Sequence, residues 1–309
     1  MGFLFVVNEM KKHSLHFSII IPTYKRRDQL AACLESTARL DYLRDRFEVI
    51  VVDDGGQISP EETVARVRTP LNITLIKQVH GGPAKARNLG AAHAKGTFLA
   101  FTDDDCILSH DWLKALRGRF DRTPDSMIGG RTLNKVPHNI FSKTTHLLIE
   151  YLYSYYNANP GQARFFASNN LALPKESFLK IGGFNPVFSR AAAEDREFCE
   201  RWLRRGYSMI YAPEALISHL HPLTPFTFFR QHFNYGRGAF HFRRMQTQAH
   251  SNIFRIEPLS FYSTVLTYPF SHGRKHLAPL FCALLMLTQM ANANGFLWEW
   301  AKHRRNAVR

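Results

Sequence analysis

The strongest constraint on this chain is a rhythm. Short runs of β-branched and aromatic residues alternate with stretches whose apolar positions recur every three or four residues. Residues 17–21, 48–53, 73–76 and 97–102 read as buried strands, and 27–40 and 84–95 carry the helical period between them. That alternation predicts βαβ units on a mostly parallel sheet, because a parallel neighbour is reached only through a crossover. In open sheets of this kind, ligands collect outside the carboxyl ends of the strands. Those ends are unusually polar here: Pro22-Thr23-Tyr24 after the first run, Asp53-Asp54-Gly55-Gly56 after the second and Asp103-Asp104-Asp105 after the fourth. Three strand ends are thus expected to converge on one site.

Further along, 166–173 and 208–211 read as strands, and 175–181 and 196–205 as helices stopped by Gly182-Gly183 and Gly206. Between 120 and 170 no motif is legible. Beyond Pro225 the chain turns aromatic and basic: of its net +15 charge, residues 226–309 supply eleven Lys/Arg against Glu257 and Glu299. Such asymmetry points to an anionic partner. Nucleic acid is not expected, because no recognition module accompanies the charge. The apolar run 277–291 has basic and aromatic flanks but is shorter than the roughly 20 residues of a membrane span. Packing on the catalytic domain and lying on an anionic membrane surface are both open to it. Cys33, Cys106, Cys199 and Cys282 form no CxxC pair, which fits a reducing, cytoplasmic setting. The apolar segment 2–7 is too short for a signal-peptide core.

An acidic run after an apolar strand has no packing role, and its mutual repulsion calls for a cation. Hard oxygen ligands favour Mg2+ or Mn2+, whose remaining positions suit a diphosphate. The plainer reading of Asp103, Asp104 and Asp105 is a solvated loop with capping carboxylates. Asp53-Asp54 is either a tight turn or an acceptor of hydrogen bonds from a base or ribose. Glu194-Asp195, at a helix start, is either a cap or the base that takes a proton from an acceptor hydroxyl. His219 and His221 follow a predicted strand and offer a nitrogen ligand or a structural role. Together these supply what sugar transfer from a nucleotide diphosphate needs: a nucleotide crevice, positive charge on the leaving diphosphate and a carboxylate opposite. A dinucleotide oxidoreductase is disfavoured, since no Gly-x-Gly-x-x-Gly follows the first strand. Nucleotidyl transfer is disfavoured for want of a glycine-rich activating loop.

Five ordered segments resemble the family-two glycosyltransferases of the GT-A fold. They are Ser18-Ile19-Ile20-Ile21-Pro22-Thr23-Tyr24, Val51-Val52-Asp53-Asp54-Gly55, Ala86-Arg87-Asn88-Leu89-Gly90, Phe101-Thr102-Asp103-Asp104-Asp105 and Glu194-Asp195. The resemblance implies that Pro22, Thr23 and Tyr24 lie against the donor base, that Asp54 with Asp53 bonds its ring and that Arg87 helps hold the nucleotide. It further implies Asp103 at the ribose or metal, Asp105 at the metal, Asp195 as base and Glu194 on the acceptor side; His219 is the candidate nitrogen ligand from the residue reading above. Asp104, in the middle of the run, leaves the register of donor and metal contacts open. Asn169 and Asn170, leading towards Gly182-Gly183-Phe184, resemble the family's acceptor-side segment. The stretch 231–238 stands where processive relatives carry Gln-x-x-Arg-Trp; that motif is absent, which favours single addition and makes Arg237 a candidate diphosphate contact.

The expectation is therefore an N-terminal extension over 1–16, a GT-A catalytic domain over 17–225 with a mixed sheet flanked by helices, and a helical, membrane-associating segment over 226–309. The expected activity is metal-dependent, inverting transfer from a UDP-, GDP- or dTDP-sugar to a glycan or lipid-linked acceptor. It would serve cell-surface glycan or glycolipid synthesis at the cytoplasmic face of a membrane. The alternative is a non-catalytic basic scaffold on a degenerate transferase fold.

Overall fold

The computed structural model describes residues 15–56, 59–67, 71–188, 192–249, 257–272 and 275–307. The expected N-terminal extension falls almost wholly outside them, as do Gly273 and Arg274 of the basic flank.

The first half runs β1 (Phe17–Thr23), α1 (Arg27–Ala38), β2 (Phe47–Asp53), α2 (Glu61–Val67), β3 (Ile73–Lys77), α3 (Pro83–His93) and β4 (Phe98–Thr102). β1 is parallel to both β2 and β4, and β2 to β3. β1 and β2 are buried along nearly their whole length, as continuous apolar runs in a two-faced parallel sheet require. The polar exceptions are satisfied: Ser18 Oγ donates to Glu48 Oε1 at 2.7 Å, and that oxygen also accepts from Lys95 N at 2.6 Å. The sheet is a platform whose β1, β2 and β4 ends point to one side.

The second half runs β5 (Cys106–Leu108), α4 (Trp112–Phe120), β6 (Met127–Asn134), α5 (Ile140–Tyr156), β7 (Asn170–Pro174), α6 (Lys175–Ile181), α7 (Glu194–Arg204) and β8 (Met209–His219). It completes an eight-stranded mixed sheet in the order β3-β2-β1-β4-β7-β6-β8-β5. β7 is antiparallel to β4 and β6, β8 is parallel to β6, and β5 is antiparallel to β8. One face packs on α1 and α4 through Leu30, Leu34, Trp112 and Leu116; the other packs on α3, α6 and α7 through Ala86, Phe178, Phe198 and Trp202.

Three expectations need correction. The strand expected over 166–173 starts only at Asn170, because the preceding residues cross the sheet as a loop with Phe166 N donating to Cys199 Sγ. The strand expected over 208–211 runs on to His219: Pro213 and Glu214 interrupt the apolar alternation, and a register shift at Gly130/Arg131 of β6 absorbs them. The stretch between 120 and 170 contains α5, capped by Asn139, whose side chain accepts from Ser142 N. Its Thr, Ser and Tyr content gives weak helix propensity, and packing decides the matter.

The chain closes with α8 (Pro225–Ala249), α9 (Leu259–His272) and α10 (Ala278–Ala307). α10 has 30 residues, well beyond the apolar run read from sequence, and by length and composition it is long and apolar enough to cross a membrane. It is clamped to α8. A Cβ at Gly236 would sit 1.9 Å from Asn292 O, and one at Gly295 would sit 1.9 Å from Phe233 O, so only glycine lets these backbones meet.

Candidate active site

The β2 end is a clamp. Asp54 Oδ1 accepts from Gln78 Nε2 (2.6 Å) and Gly81 N (2.7 Å); Oδ2 accepts from Gly82 N (2.9 Å) and lies 2.9 Å from His80 Nδ1. With both oxygens doubly engaged, Asp54 has no capacity left for the base ring expected of it. It fixes the turn into α3. Gly55 is required beside it, at φ 80° with a Cβ position only 2.7 Å from His80 N. Asp53 Oδ1 accepts only a long 3.4 Å bond from Gly56 N among the described residues, so acceptor capacity at this strand end lies there. Pro22 and Thr23 finish β1 alongside, and the half-exposed Tyr24 ring stacks on His80 at 4.3 Å.

The three carboxylates after β4 fan out to different partners. Asp104 is buried and turned inward, accepting from Thr23 Oγ1 at 2.8 Å and Arg26 Nη1 at 3.2 Å. Burial, opposed by Arg26, pushes its pKa up to about 6. It does not line the cavity described below, so the donor contact expected of Asp104 is corrected to a structural tie.

Asp105 Oδ1 lies 2.9 Å from His219 Nε2, and its Oδ2 lies 3.3 Å from His221 Nδ1 and 2.7 Å from Arg26 Nη1. Burial alone would raise its pKa, but His219, His221 and Arg26 hold it well below the ordinary range. Reciprocally, Asp105 raises His219 against the effect of burial. β5 and β8 bring this pair together, since Cys106 and His219 are register partners. A buried carboxylate and an imidazole whose donor atoms lie within 4.8 Å, together with Cys106 Sγ, fit a divalent cation. Asp103, expected with them, is not in that group.

Asp103 Oδ1 instead accepts from Arg87 Nη2 at 2.7 Å, and Arg87 Nη1 donates to Glu194 Oε1 at 3.1 Å. Arg87, on α3, is buried; it stays charged because Asp103 and Glu194 outweigh its desolvation. Glu194 Oε2 accepts from Ala192 N, and burial together with neighbouring Asp195 pushes its pKa up to about 7. Asp195 is half-buried, accepts from Arg196 N at 2.7 Å and is also raised by burial. Ala193, just before the pair, has φ 68°, a left-handed strain at the start of α7.

These groups share one cavity of about 750 Å3, within the usual range for a small-molecule site. Its wall includes Arg87, Asp103, Glu194, Asp195, His219 and Asn169. Five buried polar atoms on that wall lack a hydrogen-bond partner among the described residues: Arg87 Nε, Thr132 Oγ1, Asn134 Nδ2, Asn169 Oδ1 and Gln231 Oε1. Asn170, expected beside Asn169, belongs to the core. Its side chain accepts from Trp112 Nε1 and donates to the carbonyls of Arg131 and Ala215. Arg237 is also corrected: it pairs with Glu299 of α10 at 2.6 Å and is not part of the cavity wall. Sequence reasoning missed Arg26, Thr132, Asn134 and Gln231. Arg26 sits in a basic run read as a helix start, and nothing local shows it folding back onto residues 104 and 105.

The fold is of the GT-A type. It matches the mannosyltransferase PcManGT from Pyrobaculum calidifontis, solved with GDP-Man and Mn2+, at a TM-score of 0.65 and 18% identity, over 93% of this chain and 88% of that one. Residues 1–349 of Staphylococcus aureus TarS, solved with UDP-GlcNAc, match at 0.56 and 16%, over 94% of this chain and 92% of that fragment. The sequence profile of glycosyl transferase family 2 matches residues 18–193, and the chain belongs to that family of glycosyltransferases. Glycosyltransferase AglE of Haloferax volcanii is 26% identical over 230 residues, 72% of each chain. The poly(ribitol-phosphate) β-N-acetylglucosaminyltransferase TarS is 30% identical over 136 residues, which are 42% of this chain and only 24% of TarS.

Proposed function

We propose that this chain transfers one sugar, with inversion, from a nucleotide-diphosphate donor to an acceptor hydroxyl, with Asp195 as the base. The observation that carries the reading is the Asp103–Arg87–Glu194 bridge. It joins the β4 end to the start of α7, so that Asp195 and Asp103 face one cavity. The acceptor O–H proton passes to the Asp195 carboxylate, the oxygen bonds the anomeric carbon and the bond from that carbon to the diphosphate oxygen breaks. Glu194 is committed to Arg87 and Ala192 N, which leaves Asp195 as the proton acceptor.

Asp53, Pro22, Thr23 and Tyr24 form the donor-side rim in this reading, and Asn169 the acceptor side. Asp105 and His219 would hold Mn2+ or Mg2+, which when bound neutralises the leaving diphosphate. The absence of Gln-x-x-Arg-Trp supports single addition, and the basic ends of α10 support peripheral contact with an anionic, cytoplasmic membrane face. The donor in this reading is a UDP-, GDP- or dTDP-sugar and the acceptor a glycan or lipid-linked molecule; neighbours solved with GDP-Man and UDP-GlcNAc support the first two donors. Thermal shift with each nucleotide sugar, with and without Mn2+, tests the donor reading. If none of them shifts the melting temperature, the scaffold alternative takes its place.

A further inference from the structure

The cavity is chemically two-ended. At the end holding Asp103 and Asp195, the unpaired atoms of Arg87, Thr132, Asn134, Asn169 and Gln231 call for a ligand dense in hydroxyls. At the other end the wall carries an apolar patch, Leu148, Ile149 and Leu152 from α5, Phe261 from α9, and Ala293 and Phe296 from α10, with Gln289 and Asn292 of α10 as polar neighbours. A hydrophilic glycan would gain nothing from this second end, whereas a hydrocarbon chain would be desolvated there.

The apolar end adjoins an apolar outer surface. α10 exposes Met286, Met290 and Leu297, each at least half exposed, along one helical stripe, with the exposed Trp298 on the flank beside it. Ala293 lies within that stripe and also lines the cavity, so the two surfaces meet at one residue. α9 exposes mainly hydroxyls, Ser260, Ser263, Thr264 and Thr267, between an exposed Leu259 and Phe270 at its ends. The apolar stripe of α10 borders the cavity, while further exposed apolar residues lie elsewhere, Phe226 and Phe229 on α8 among them. Lys275, in the turn just before α10, and Lys302, Arg304 and Arg305 at its end give the stripe the charge pattern of a segment seated on anionic lipid.

We infer that the acceptor is an amphiphile whose hydroxylated headgroup occupies the Asp195 end of the cavity and whose hydrocarbon tail occupies the end walled by α5, α9 and α10, entering past Ala293. This rests on the transferase reading and adds the acceptor's chemical class.

Methyl, hexyl and octyl β-glucosides, each below its micelle concentration, are the probes, titrated calorimetrically into the full chain. Burial of each added methylene strengthens binding up to about fourfold, so octyl is expected to bind roughly tenfold tighter than hexyl, and methyl scarcely at all. Ala293→Trp, which fills the cavity from an exposed position, should abolish that chain-length dependence; Leu152→Asp should do the same. Met290→Gln, on the outer stripe, should preserve it. Equal affinities across the series would overturn the inference. So would a dependence that survives Ala293→Trp but is lost in Met290→Gln, because the tail would then be adsorbing to the outside. Nucleotide-induced thermal shift is read in parallel. A retained shift with flat glucoside affinities sinks the amphiphile alone, whereas no shift with any nucleotide sinks the transferase reading beneath it.

Discussion

The strand ends after β2 and β4 and the cavity wall under α5 and α8 satisfy their polar groups in opposite ways. Asp54 and Asp104 are engaged by Gln78, Gly81, Gly82, Thr23 and Arg26, and Asp105 is held between Arg26 and His219. Asn134, Asn169 and Gln231 keep buried atoms without a partner among the described residues. The first region is pre-organised and holds its shape by itself. The second is built to be completed by what binds in it, since an unpaired buried polar group costs about 1–3 kcal/mol until a ligand satisfies it.

Breaking the link between the two regions should have the largest effect on stability and rate. Arg87→Met strands the buried Glu194 and the partly buried Asp103 without their shared cation. A loss of about 3–5 kcal/mol in unfolding free energy is expected by denaturant titration, with transfer abolished. A melting point within a degree of the parent would show that the bridge does not join the halves.

Asp195→Asn leaves the bridge intact and removes the base. Turnover should fall by about 100- to 10,000-fold while nucleotide thermal shifts stay unchanged. Equal loss of both would assign Asp195 to structure instead.

The pH profile separates the regions further. Asp195 must be ionised to accept a proton, and burial raises its pKa, so kcat/KM should climb with pH through an inflection above the ordinary aspartate value and be lost as pH falls below it. A profile already flat from pH 5 upward would contradict a raised base. The smallest effect is expected for Asn169→Ala. It removes an acceptor-facing amide and should raise the acceptor KM severalfold, by about 1 kcal/mol, with donor KM unchanged.

The same contrast explains what the sequence revealed. The β1, β2 and β4 ends are written locally, each a strand followed at once by its polar residues, so the existence of the sheet's parallel half and the neighbourhood of its strand ends were legible, though not the strand order. Saturation was not. That Asp54 is consumed by the 78–82 turn depends on a contact 24 to 28 residues away. The cavity wall is assembled from β6, the loop before β7, α5, α8 and α10, elements with no shared motif, and Asn170 and Asn169 differ in role because β7 begins between them, with Asn170 turned into the core and Asn169 in the turn ahead of it. Arg237 looked available until α10, some 60 residues on, supplied Glu299.

The paired glycines of α8 and α10 set a rule for handling this protein. A terminal helix that is apolar and basic at its ends invites removal to gain solubility. Here α10 is keyed into α8 at Gly236 and Gly295 and supplies Gln289, Asn292, Ala293 and Phe296 to the cavity wall. A truncated chain would have its reaction chamber open on one side, and a methyl group at either glycine would prise the same joint apart.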